Sequence, residues 1–125
     1  MAFETEVAGH KIVMDADLES GGEDTGVRPK PLQLVALGGC TGMDVVSLLK
    51  KMRVDIDDFQ MIIEGELSEE HPKHYQSIHL IYQFKGKDLP IDKLEKAVSM
   101  SEDKYCGVAA LYKKAIPLTY EIKVV

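Results

Sequence analysis

Only two of the 125 residues are cysteines, Cys40 and Cys106, and so few thiols exclude a secreted scaffold stapled by disulfides. Arginine is equally scarce, with Arg28 and Arg53 alone, and no run of Lys or Arg exceeds two residues (Lys50-Lys51, Lys113-Lys114). With a net charge of −6, the chain lacks the basic stripe that neutralises phosphates, so no nucleic acid partner is expected. No CxxC or HExxH spacing marks a zinc centre, and residues 21–26 (GGEDTG) lack the Lys-Ser/Thr ending of a phosphate loop. No metal and no ATP or NAD cofactor is therefore expected. No charged, apolar and small-residue sequence of the secretory type opens the chain, which predicts a cytoplasmic protein. No repeat is visible, and the length suits a single domain over residues 1–125.

The longest apolar run is Leu32 to Leu49, about 18 residues, the lower limit for crossing a bilayer. It contains Gln33, Thr41, Asp44 and Ser47, so it reads as a core helix, with no membrane partner. Leu34, Leu37, Val45, Leu48 and Met52 share a stripe, Pro31 suits a first helical position, and Lys50-Lys51 place positive charge in the last turn. A helix this apolar on nearly every side should be wrapped by other elements.

Upstream, Phe3 to Asp15 alternates around Ala8-Gly9-His10 and predicts a short hairpin, and Leu18 to Pro31, rich in Gly and Pro, predicts a loop. Downstream, Phe59, Met61, Ile63, Gly65 and Leu67, then Ile78, Leu80, Tyr82 and Phe84, alternate with polar residues and predict a long antiparallel hairpin. Pro90 opens a helix with Ile91, Leu94, Ala97 and Val98 inward. A second helical piece runs from about Cys106 to Ala115, and Leu118, Tyr120, Ile122 and Val124 form a last strand. The expected class is α+β, an antiparallel sheet covering a long central helix.

Chemistry is expected at the thiols. A free thiol with a pKa of about 8.5 is a few per cent thiolate at neutral pH. Lowering Cys40 to about 6 needs roughly 3.4 kcal/mol, more than the roughly 2 kcal/mol a helix dipole supplies. A cation must help, and Arg28, in the loop feeding the Cys40 helix, is the candidate guanidinium. Gly38, Gly39 and Gly42 flank Cys40 at about 1 kcal/mol each relative to Ala, for close packing or for access to sulfur. Asp44 lies one turn after Cys40 on the same face, as a catalytic group or a partner for a cation. Cys106 opens its own helix after Lys104, where dipole and charge both favour thiolate, and Tyr105 beside it is a candidate pocket residue. His71 and His74, in a polar turn, offer a weaker zinc reading.

Two segments, RPKPLQLVALGGCTGMDVVSLLKK (28–51) and KYCGVAALYKKAIPLTYEI (104–122), resemble in content, order and spacing the two cysteine motifs of the OsmC/Ohr family, named for osmotically inducible protein C and organic hydroperoxide resistance protein. The resemblance covers roughly residue 26 onward. It implies a thiol-dependent peroxidase of organic hydroperoxides, an intertwined homodimer with a long central helix in each chain. It also implies Cys40 as the peroxidatic cysteine, Cys106 as the resolving cysteine, and an external dithiol reductant of lipoyl or other type in place of a bound cofactor. The family's activating glutamate and upstream arginine fall here at Lys30-Pro31 and near Ser20-Gly21, so Arg28 and Glu23 stand as substitutes by proximity. The alternative is a dimeric OsmC-like protein that binds a small apolar ligand and keeps slow or structural thiols.

Overall fold

The computed structural model describes all 125 residues, which divide into two compact units, 1–33 and 34–125. In the first, β1 (Phe3–Val7) pairs antiparallel with β2 (His10–Met14), from Phe3 opposite Met14 to Val7 opposite His10. Ala8 and Gly9 form the turn with φ of 50° and 82°, the positive pair that a two-residue hairpin needs to match strand twist, which is why glycine stands there. The following loop is organised by Asp15. Its buried carboxylate accepts the amides of Ala16 (2.8 Å), Glu23 (3.1 Å) and Thr25 (3.1 Å) and the Thr25 hydroxyl (2.6 Å).

Those donors, the Thr25 hydroxyl foremost, hold the Asp15 carboxyl well below the usual carboxylate range. A depressed folded-state pKa gives stability that is complete above the unfolded value of about 4 and is lost as pH falls through the folded value. Asp15→Asn is accordingly expected to open the 15–27 loop to proteolysis at neutral pH. Limited digestion followed by mass mapping checks this, and an unchanged digestion pattern would refute it.

Helix α1 (Pro29–Lys51) begins earlier than the sequence suggests. Pro29 takes the first position and Pro31 the third, where neither amide would have an intrahelical partner. In the second unit, β3 (Asp58–Leu67) pairs antiparallel with β4 (Tyr75–Lys85), as expected. β5 (Leu118–Val124) instead joins β4 in parallel, so the sheet is mixed, in the order β3-β4-β5. The reason is the connection: α2 (Ile91–Met100), a π turn (Ser101–Tyr105) and α3 (Gly107–Ala115) form a helical crossover long enough to return the chain to the starting end of β4.

Leu37, Val45 and Leu49 of α1, Ile78, Leu80, Tyr82 and Phe84 of β4, and Leu94, Ala97 and Val98 of α2 form the core. Ile91, expected inward, is exposed in the first turn of α2. By length and composition α1 is apolar enough to span a membrane, yet its buried stripe packs into this core, as in the central helix of a soluble protein. The wrapping of α1 is incomplete, however. Met43 is 76% exposed, and Val35 and Val46 are also open.

Candidate active site

The close approach of β3 to α1 is what the glycines around Cys40 permit. A Cβ at Gly38 would lie 2.5 Å from Ile63 Cδ1, and one at Gly42 would lie 3.2 Å from Met61 Cγ. Gly39 meets nothing within 4 Å and borders an apolar groove of about 510 Å³ with Met43, Val46 and Phe59. Packing explains two of the three glycines, and open space the third.

Cys40, half-buried in the middle of α1, lies beside the buried Cys106, and both are free thiols. The two sulfurs and a carboxylate oxygen of Asp44 all fall within 4.8 Å of one another. Cys106 is the N-cap residue of α3, and its sulfur accepts the Ala109 amide at 3.4 Å. The expectation that dipole and charge would make it thiolate is corrected here. Burial dominates and, with Cys40 alongside, pushes the Cys106 thiol up to about 11 despite the Ala109 and Val108 amides. Lys104, whose charge was expected to help, is exposed. Cys106 is thus a protonated thiol at neutral pH.

A polar network missed in the sequence underlies the thiols. Thr41, next to Cys40, meets the Tyr82 hydroxyl at 2.6 Å and the Ser101 hydroxyl at 2.9 Å. Tyr82 donates to Glu102 Oε1 at 2.5 Å, and Ser101 donates to Asp44 Oδ2 at 3.1 Å. Glu102 is 3% exposed. Lys113 donates to the Glu102 carbonyl at 2.7 Å and stands 3.3 Å from Oε2, an ion-pair distance without hydrogen-bond alignment. Burial, reinforced by the hydrogen bond to the Glu102 carboxylate, raises the Tyr82 pKa far above its usual value, so Tyr82 serves as a neutral hydroxyl. The network fixes α1 at Thr41 and the π turn at Ser101 and Glu102, and so fixes the two backbones that carry the sulfurs. The π turn itself donates the Cys106 amide to the Ser101 carbonyl at 2.8 Å.

A sequence signal for these residues existed. Thr41 falls between Leu37 and Val45 in the inward stripe of α1, and Ser101 and Glu102 continue the i, i+3, i+4 series of Leu94, Ala97 and Val98.

The remaining sequence-derived site residues are placed as follows. Asp44 belongs to the thiol cluster and accepts from Ser101 rather than from a lysine or arginine. Tyr105, Asp44, Ser47, Leu48 and Lys51 line a cavity of about 170 Å³. Arg28, in the first unit, pairs with Asp24 at 2.8 Å and donates to the Gly26 carbonyl at 2.9 Å. Glu23, also in the first unit, is exposed and uses its backbone amide on Asp15. His74 bonds to the Pro72 carbonyl within the β3–β4 turn, as a polar turn residue would.

Residues 21–121 match the family model described as OsmC-like protein. The chain is 38% identical over 118 residues to Protein YhfA of Escherichia coli K12, covering 94% of this chain and 85% of that one. A solved structure, a hypothetical protein from Aquifex aeolicus VF5, is 34% identical with a TM-score of 0.83, covering 99% of this chain and 89% of the other. The organic hydroperoxide resistance protein OhrB of Bacillus subtilis superposes with a TM-score of 0.65 over 98% of this chain and 96% of its own. At 18% identity that likeness concerns the fold alone.

Proposed function

Because the chain belongs to the OsmC-like family, we propose that it reduces organic hydroperoxides with Cys40 as nucleophile and Cys106 as resolving thiol. The observation that carries this reading is the pair of free sulfurs within 4.8 Å, one half-buried and one buried. In the first step the Cys40 thiolate attacks the terminal peroxide oxygen. The O–O bond breaks, the alcohol leaves with a proton, and Cys40 becomes a sulfenic acid. In the second, the Cys106 sulfur attacks Cys40, water leaves, and the disulfide closes, which requires the sulfurs to move to about 2 Å. An external dithiol, lipoyl-type or other, takes up the oxidising equivalents and restores both thiols.

Asp44, held by Ser101, lines the approach to Cys40; Arg28 is engaged by Asp24 and the Gly26 carbonyl and Glu23 offers only its backbone amide, so neither has a proposed part. An intertwined homodimer in the cytoplasm is part of the same reading. Its support is the exposed apolar face of α1 formed by Val35, Met43 and Val46. A small apolar ligand in that groove, with slow thiols, is the second reading, and the apolar lining favours it.

Turnover with cumene hydroperoxide and dihydrolipoamide separates the two. The wild-type chain is expected to consume peroxide with one alcohol formed per hydroperoxide lost. Absence of consumption by the wild type would favour the ligand-binding reading.

A further inference from the structure

We propose that the reduced chain binds one thiophilic divalent cation, of the zinc type, through Cys40, Asp44 and Cys106. The inference rests on the geometry and donor chemistry of the cluster and does not depend on peroxidase activity. Two sulfurs and one carboxylate oxygen within 4.8 Å of one another form a soft donor set that selects zinc over magnesium or calcium. In a tetrahedral zinc site, with Zn–S of about 2.3 Å and Zn–O of about 2.1 Å, ligand atoms stand roughly 3.6 Å apart. Contraction by at most about 1.2 Å would close the cluster on an ion.

The ligands are also supported as metal ligands usually are. Cys40 and Asp44 project from one face of α1 at i, i+4, and Cys106 is fixed as the N-cap of α3. The Ala109 amide already donates to Cys106 Sγ, as it would to a bound thiolate. Ser101 donates to Asp44 Oδ2, which orients the carboxylate and leaves Oδ1 for the ion. Asp44 also borders the cavity lined by Lys51 and Tyr105, so the carboxylate side of the cluster is open. Binding releases the thiol protons to solvent. It caps both sulfurs against oxidation, whereas a Cys40–Cys106 disulfide removes two of the three ligands and expels the ion. The metal and the disulfide are therefore mutually exclusive states of one site.

Titration of the reduced, full-length chain with Co²⁺, followed by displacement with Zn²⁺ in competition with a chromophoric chelator, tests this. The expected result is a thiolate-to-cobalt charge-transfer band saturating at one ion per chain. It should be lost in Cys40→Ser and Cys106→Ser, weakened about a hundredfold or more in Asp44→Asn and about tenfold in Ser101→Ala. His71→Ala should leave it unchanged. Should the cysteine variants fail to fold, the wild-type chain oxidised to its disulfide serves in their place and should bind no ion. A flat titration overturns the proposal, as does a band that survives disulfide formation or depends on His71. Because the readout is metal occupancy, a chain inactive toward peroxide can still bear the proposal out.

Discussion

Cys40→Ser is expected to reduce hydroperoxide consumption to background, a loss on the order of a thousandfold or more, the scale that follows removal of a nucleophile. A serine hydroxyl in the same place has the geometry but neither the acidity nor the polarisable lone pair that splits an O–O bond. Cys106→Ser separates the steps. Its Cys40 should still attack once and stop at the sulfenic acid, which a dimedone probe would label, while turnover fails for want of a resolving thiol. The asymmetry follows from burial, since Cys106 is pushed up to about 11 and Cys40 is the more accessible of the two. In wild-type protein, disulfide closure should then accelerate as pH rises toward that value, about tenfold per unit. Rapid-quench thiol counting measures both variants and this slope. Equal loss of the first step in Cys40→Ser and Cys106→Ser would remove the assignment.

The largest effect on stability is expected from Glu102→Ala. Its carboxylate is buried with the Tyr82 hydroxyl on one oxygen and Lys113 near the other. Removing one member of a buried ionic pair costs about 3–5 kcal/mol, and the Lys113 side chain, 35% exposed, regains water and brings the expectation to about 3 kcal/mol. Glu102→Gln keeps an oxygen for Tyr82 and should cost about 1 kcal/mol. Urea unfolding at constant m-value checks both, and a fall of less than about 1 kcal/mol in the alanine variant would show that the network does not hold the thiol-bearing segments.

Much of this frame was legible in the amino-acid order, and the exceptions have physical causes. The β1–β2 hairpin, the core stripe of α1 and the inward residues of β4 follow from short-range periodicity, which the local sequence contains. The parallel arrival of β5 depends on where a helical crossover returns the chain, which no local pattern encodes. The meeting of Cys40 with Cys106 likewise depends on the packing of α1 against the π turn. Thr41 and Glu102 lie on inward stripes, but that both meet the Tyr82 hydroxyl depends on how α1, β4 and the π turn pack, which no local pattern encodes. The sequence placed Cys40, Cys106 and Asp44 among the candidates, and the structure adds Thr41, Ser101, Tyr82 and Glu102 around them.

Anaerobic titration of the metal-free, reduced chain with limiting cumene hydroperoxide, with thiol counting and peptide mass mapping, tests the central claim most directly. The account predicts loss of both thiols for each hydroperoxide consumed, an equal yield of cumyl alcohol and one linked peptide pair containing Cys40 and Cys106. Thiols that persist while the hydroperoxide remains, or oxidation of Cys106 ahead of Cys40, would contradict it.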